Sequence, residues 1–166
     1  MCLYSKNKTP LVAEEDIHVW KVVTESYKGP YMGRYKYKKG LNRTRKAEDP
    51  TKLFGGVWTY GKGWLHACTD LDSAYLLAMN FSDMWLYQRQ WDAKITLYII
   101  EMVIPKGSKY VKDNSGLHYC ANKLEWRDNA DIRYLHRENV QDPDLGYLGF
   151  WSPGSPVTGI VIDRQD

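Results

Sequence analysis

Alternating and branched apolar residues predict a series of β-strands along this chain. The longest apolar run, residues 95–104, is rich in isoleucine, which favours a central strand. Residues 17–23 predict a second strand with apolar residues on both faces. Shorter strands are predicted at 57–60, 64–68, 109–111, 118–126 and 160–162, where glycine and proline turns separate the apolar pieces.

One segment has helical rather than strand periodicity. Thr69 is a good N-cap residue, and Asp70 and Asp72 favour the first turn of a helix. The residues that follow form one apolar face at helical spacing: Leu71, Ala74, Tyr75, Ala78 and Met79. The pattern predicts one main helix over about residues 70–82 and a short helix over 131–138. The sum is an α+β fold, a mostly antiparallel twisted sheet packed by one main helix.

Length and composition limit the class of protein. The 166 residues correspond to a single domain, 1–166, with a basic loop-rich segment at 27–52 and a Pro/Gly-rich tail at 140–159. No apolar run reaches the length of a transmembrane helix, and no secretory signal pattern opens the chain. Three cysteines fit a reducing compartment better than a disulfide scaffold. We therefore expect a cytoplasmic protein with no membrane partner, and the pattern specifies no oligomeric state.

The basic residues are concentrated in one part of the chain. The whole chain has a net charge of +3, whereas residues 21–46 carry a local net charge of +8. This segment has one acid, Glu25, and nine basic residues: Lys21, Lys28, Arg34, Lys36, Lys38, Lys39, Arg43, Arg45 and Lys46. Such clustering favours a polyanion or nucleotide partner.

Tyrosines are interleaved with these cations. In an extended segment Arg34, Lys36 and Lys38 share one face and the tyrosines between them share the other. Aromatic rings stack on bases and cations meet phosphates, so this composition suits nucleotides. The candidate ligand-binding residues are those of this segment and of the strand before the helix: Lys21, Arg34, Tyr35, Tyr37, Tyr60, Trp64 and His66. No phosphate-loop motif is present, and we expect no bound cofactor.

Two His-x-Cys pairs form an alternative, metal-binding set. They are His66 with Cys68 and His118 with Cys120. Neighbouring strands could bring the four side chains together, and their types are acceptable zinc ligands. The spacing is not the common zinc spacing, so buried structural cysteines are the favoured interpretation and no metal is expected.

Six short stretches resemble a group of small uncharacterised proteins from gut Bacteroidetes bacteria and their phages. They are MCLYSK at 1–6, AEEDI at 13–17, WKVV at 20–23, LHACT at 65–69, IPKGSKY at 104–110 and YCANKL at 119–124. The resemblance carries no established activity. Through the phage members it implies a protein that acts against a bacterial defence system, by sequestering a signal nucleotide or blocking a host protein.

The order of elements also resembles the ADP-ribosyltransferase-like fold. That fold has a cationic residue on an early strand, an aromatic strand before a helix, and a catalytic glutamate on a late strand. The equivalents here are Lys21, residues 60–66 and Glu125, so the resemblance implies an NAD-consuming enzyme with His66 and Glu125 as catalytic residues. The chain departs from the family motifs, because it has no Ser-Thr-Ser and Glu125 lies in Leu-Glu-Trp.

Three functions are open on this evidence. A binding protein with a basic, aromatic-lined pocket for a nucleotide or phosphate-bearing partner is favoured, because the basic segment and the tyrosines coincide. A ligand-free interaction protein is the second, since tyrosine, tryptophan and arginine dominate protein interfaces. An ADP-ribosyltransferase-like enzyme is the third and rests on analogy of fold alone.

Overall fold

A computed structural model describes residues 3–30, 35–44, 47–53, 55–88, 94–138 and 161–164 of the protein. These residues form thirteen strands and one helix, α1, which spans Leu71–Gln88. The strands are β1 Leu3–Ser5, β2 Leu11–Val12, β3 Ile17–Thr24, β4 Gly40–Arg43, β5 Thr51–Lys52, β6 Trp58–Tyr60, β7 Leu65–Cys68, β8 Lys94–Ile104, β9 Lys109–Lys112, β10 His118–Ala121, β11 Lys123–Trp126, β12 Ile132–Glu138 and β13 Val161–Arg164.

Ten of the described strands form one antiparallel sheet, which confirms the predicted α+β class. Eight of them run in the order β13-β12-β8-β3-β7-β10-β9-β2, and β11 joins β8 to the edge strand β4. The apolar run that predicted a central strand is β8, which pairs with β3 over eight residues and with β12 over seven. The remaining strands form a small antiparallel sheet in the order β1-β6-β5.

One face of the large sheet, the helix face, is covered by α1. Small and aromatic residues of the helix, among them Ala74, Ala78 and Phe81, pack against Leu97 and Ile99 of β8. The helix continues to Gln88, beyond the predicted end near residue 82. Asp70 is its N-cap, since the Asp70 carboxylate accepts a hydrogen bond from the Ser73 amide at 2.7 Å. The prediction of Thr69 as the cap was wrong.

The opposite face, the far face, has its own core. Val19 and Val23 of β3 pack there with Ile100 and Met102 of β8. Tyr37 from the segment before β4 closes this layer and is only 4% exposed. Successive side chains of β3 therefore point alternately to the helix face and to the far face, and both faces are buried, as the apolar pattern of residues 17–23 predicts.

Two local predictions were wrong. Residues 131–138 form strand β12 rather than a helix, because each of the residues from Ile132 to Glu138 pairs with β8. Their arginines mask the two-residue alternation that the sheet imposes. Within the loop-rich segment at 27–52, residues 41–52 were expected to form a loop, but β4 pairs there with β11 and β5 pairs with β6. The predicted Pro/Gly-rich tail at 140–159 lies outside the described residues.

Candidate functional site

Lys21 lies in the core rather than in an open pocket. Its side chain occupies a far-face position of β3 between Val19 and Val23 and is 8% exposed. The ammonium donates a hydrogen bond to the backbone carbonyl of His66 at 2.5 Å and lies 4.9 Å from the centre of the Tyr37 ring. Burial lowers the pKa of Lys21 to about 8.

The geometry of the sheet explains this contact. Strands β3 and β7 share a single residue pair in register, Trp20 with Cys68. The Lys21 side chain reaches the next part of β7 and binds the His66 carbonyl from the side of β3. A backbone acceptor at a gap between strands is thereby satisfied by a cation instead of by a ladder hydrogen bond.

The tyrosines predicted for the pocket also pack inward. Among residues 35–38 the lysines are exposed, whereas Tyr35 is half-buried and Tyr37 is buried. This alternation matches the predicted basic ridge over an aromatic layer. The Tyr35 and Tyr37 rings contact each other edge to face at 5.0 Å, and burial raises the pKa of both hydroxyls. Arg34 lies outside the described residues.

His66 and the two buried cysteines occupy the helix face of β7 and β10. In this antiparallel pair His66 is opposite Cys120, and Cys68 is opposite His118. The structure therefore places the four predicted metal ligands on one face of two neighbouring strands. Within the described residues, however, no three histidine, cysteine, aspartate or glutamate side chains are close enough to hold a metal ion.

The chemistry of these side chains fits a dry interior. Burial raises the pKa of Cys68 to about 12 and also raises the pKa of Cys120, so both are thiols at neutral pH. Burial, with Lys21 as a second cause, lowers the pKa of His66 to about 3. Within the described part of the chain neither ring nitrogen of His66 has a hydrogen-bond partner of ordinary geometry. The backbone of Gly61 has a smaller, opposing effect and raises the pKa of His66.

Glu125 does not join Lys21. It is paired with Val103 on the edge of β8 away from β3, whereas Lys21 is paired with Ile100. Two strand spacings and three residue steps separate their Cα atoms by about 14 Å. Their side chains also lie on opposite faces, and the Glu125 carboxylate accepts a hydrogen bond from Arg127 at 3.0 Å. The three positions that the transferase resemblance singles out are therefore not assembled into one site.

A cleft opens instead between the small sheet and the end of β9 and β10. Its volume is about 760 Å³, within the usual range for small-molecule sites. The lining combines two indoles, two lysines, two carboxylates and several hydrogen-bonding groups: Lys8, Thr9, Pro10, Thr44, Ala47, Glu48, Asp49, Pro50, Trp58, Trp64, Lys109 and Asn122. We call this the tryptophan cleft.

Exposed cations surround one of its indoles. The Lys8 ammonium lies 5.2 Å from the centre of the Trp58 ring, and the Lys52 ammonium lies 5.9 Å from it. Both lysines are exposed and Trp58 is half-buried. An exposed cation–π contact contributes only about 0.5–1 kcal/mol, so a ligand can replace these contacts easily.

Buried residues fix the walls of the cleft. The Tyr60 hydroxyl lies 2.7 Å from the carbonyl oxygens of both Asn7 and Lys8, and its single proton is shared between these two acceptors, which holds the segment that carries Lys8. The Trp64 indole N–H donates to the Glu48 carbonyl at 2.9 Å. The Tyr60 and Trp64 rings pack edge to face at 5.3 Å. Of the predicted ligand residues, Trp64 lines the cleft and Tyr60 positions it.

The end of the cleft at the large sheet holds hydrogen-bonding groups. The Asn122 side-chain oxygen accepts a hydrogen bond from the Lys109 amide at 2.9 Å, which leaves the Asn122 NH₂ group as a donor. The Thr44 hydroxyl is buried and has no hydrogen-bond partner among the residues that the structure describes. A buried polar atom without a partner is uncommon in a native protein.

Sequence reasoning missed most of this cleft, including Lys8, Thr44, Trp58, Lys109 and Asn122. They come from five separate parts of the chain and form no local motif. The sequence contained one weak signal for the cleft, which was the presence of two tryptophans in the stretch 58–64 together with isolated lysines elsewhere in the chain.

Comparisons with protein-family models, with curated proteins and with solved structures find no match to this chain. Among the described residues, no helix has both the length and the apolar character that crossing a membrane requires.

Proposed function

We propose that this protein is a nucleotide-binding protein and that its ligand lies in the tryptophan cleft. The observation that carries the proposal is the meeting of an indole ring with exposed lysines and hydrogen-bonding side chains in one cleft of about 760 Å³. A nucleotide has a flat ring and an anionic group, and the cleft has a partner for each.

The base is proposed to stack on Trp58. Lys8 and Lys52 cover this ring in the absence of a ligand. Their side chains are long, flexible and exposed, so they move away at small cost.

The phosphate is proposed to lie at the other end of the cleft. Lys109 supplies a cation there, and Asn122 and Thr44 supply hydrogen-bond donors. The acids of the lining, Glu48 and Asp49, lie on the loop at 47–50, and Glu48 is paired with the Lys62 ammonium at 3.3 Å. Charge is thus divided between the two walls, with carboxylates available to accept hydrogen bonds from amino groups of a base.

Binding rather than turnover is the proposed activity, and the resemblance to phage proteins suggests its purpose. A protein that holds a signal nucleotide in such a cleft removes that signal from a bacterial defence system. Sequestration requires affinity and abundance and no chemical step.

The test is a thermal-shift and calorimetric screen of the purified protein with NAD, ADP-ribose, mononucleotides and cyclic dinucleotides. A ligand present at 100 times its dissociation constant is expected to add about 2.7 kcal/mol to the free energy of unfolding. Lys109→Gln should weaken that ligand, whereas the matched variant Lys106→Gln, an exposed lysine outside the cleft, should not. A flat response to every nucleotide would overturn the proposal.

A further inference from the structure

A pair of like charges lies beside the tryptophan cleft. Arg43 of β4 and Lys123 of β11 are directly opposite each other in antiparallel register. Side chains in this relation have Cβ atoms about 4.5–5.5 Å apart, and like charges there destabilise a sheet. Within the described residues neither side chain has an acidic partner.

The nearest carboxylate on the same strand does not neutralise the pair. Glu125 lies two residues beyond Lys123, and its carboxylate is bound to Arg127, which also binds Asp16. The Arg43–Lys123 pair therefore retains its positive charge, and an anion is the partner that would relieve the repulsion.

The pair is continuous with the cleft. Thr44 follows Arg43 and Asn122 precedes Lys123, and both of these neighbours line the cleft. The Thr44 amide donates to the Asn122 carbonyl at 3.4 Å, so the two backbone segments remain side by side at this point. One residue step along a strand is about 3.3 Å, which puts the two cations within one nucleotide of the cleft.

We infer that the ligand is a single-stranded nucleic acid, with one nucleotide in the tryptophan cleft and the phosphate of its neighbour on Arg43 and Lys123. The inference rests on the proposed function, because it uses the same cleft. It adds a partner of defined chemistry: an unpaired strand, whose bases are free to stack on Trp58 and whose backbone is a line of phosphates.

A second cation pair provides a matched control. Lys28 and Lys36 are also opposite each other, in an isolated antiparallel bridge, and both are exposed. They belong to the layer that covers the far face. A strand that enters the cleft along β4 and β11 does not meet them, whereas a nonspecific polyanion is attracted by either pair.

The experiment measures binding of a fluorescein-labelled single-stranded oligonucleotide of about eight nucleotides by anisotropy, over a range of salt concentrations. The double variant Arg43→Gln/Lys123→Gln is expected to bind at least about tenfold more weakly at low salt. Its slope of log affinity against log salt should fall by about 0.7, since the pair contacts one phosphate and each phosphate contact in a single strand contributes about 0.7. Lys28→Gln/Lys36→Gln should bind as the wild type does.

Mononucleotide and nucleoside triphosphate binding separates the possible failures. If no nucleotide of any kind binds, the proposed function fails. If mononucleotides bind and the oligonucleotide binds no more tightly, only the nucleic-acid inference fails. Equal losses in the two double variants would reveal a nonspecific polyanion surface and overturn the inference. A triphosphate that loses as much affinity as the oligonucleotide would assign the pair to the ligand's own phosphates and also overturn it.

Discussion

Lysine ammonium groups lie over aromatic rings in two parts of this protein, one inside the core and one at the surface. Lys21 is 4.9 Å from the Tyr37 ring, and both side chains are buried. Lys8 is 5.2 Å from the Trp58 ring, and its side chain is exposed. The same two kinds of side chain therefore meet in a closed place and in an open one, and only the open place has room for a ligand.

Solvent exposure separates the structural lysine of the core from the lysines of the cleft. In the core the Lys21 ammonium cannot exchange its partners for water. The free-energy cost of burying this charge appears as the lowered pKa of Lys21. At the tryptophan cleft the same interaction is weak and replaceable. Experiments that change pH should therefore act on the core cluster, and experiments that add ligand should act on the cleft.

The largest effect is expected from acid, through His66. Its pKa is about 3 in the folded protein and about 6.5 in an unfolded chain, so between these values the unfolded state binds a proton that the folded state does not. The free energy of unfolding should therefore fall as the pH falls, by about 3 kcal/mol between pH 7 and pH 4 from this group. Urea unfolding at several pH values measures it.

Two variants isolate the contribution of His66. His66→Leu should have a shallower dependence of stability on acid than the wild type. His18→Gln removes an exposed histidine whose ring bonds Glu101 at 2.8 Å, and it should retain the steep dependence. Parallel acid profiles for the wild type and His66→Leu would contradict the buried neutral imidazole.

A smaller effect of opposite direction is expected from alkali, through Lys21. The folded-state pKa of about 8 lies below the ordinary 10.5, so the unfolded state holds its proton to higher pH. The free energy of unfolding should rise by about 2 kcal/mol between pH 7 and pH 10 from this group, as the buried ammonium becomes neutral. Lys21→Met should remove that rise and the exposed Lys28→Met should keep it. An equal rise in Lys21→Met would refute the assignment.

Sequence patterns predicted the main strands and the helix well, because these elements depend on local periodicity. The β8 run, the β3 alternation and the start of α1 are all visible in neighbouring residues. The helix predicted at 131–138 failed because β12 is held in place by β8, which is distant in the sequence. Tertiary pairing decided its conformation against local preference.

The candidate site was less predictable for a related reason. Composition marked Trp64 and Tyr60, which lie at the cleft, together with Lys21, Tyr37 and His66, which lie away from it. A segment in which basic and aromatic residues alternate has the same sequence pattern whether its rings face solvent or pack into the core. The tryptophan cleft depends on contacts between β6, β9 and the residues after β4, and no short motif encodes that meeting.

At the cleft, Trp58→Ala should weaken the ligand and leave the large sheet intact. Loss of one stacked base costs about 1–3 kcal/mol of binding free energy, so nucleotide affinity should fall by roughly tenfold or more. Trp58 is half-buried and packs against the core cluster that contains Tyr60 and Trp64, outside both cores of the large sheet, so a loss of stability should accompany the loss of affinity. Calorimetry measures the affinity, and the pH dependence assigned to His66 should persist in this variant. Unchanged nucleotide affinity would place the base elsewhere.

The smallest effect tests the unpartnered hydroxyl of Thr44. Thr44→Val keeps the shape of the side chain and removes a buried polar atom that has no partner, so the free energy of unfolding should rise by about 1 kcal/mol. Nucleotide affinity should fall severalfold in the same variant, because the proposed contact with the ligand is lost. Thr96→Val is the control, since the Thr96 hydroxyl bonds the His136 ring at 2.9 Å away from the cleft. It should lose stability and bind nucleotide normally. A Thr44→Val protein that is less stable, or that binds as tightly as the wild type, would show that this hydroxyl does not contact the ligand. The difference between the buried and the exposed site would then depend on Trp58 and its lysines alone.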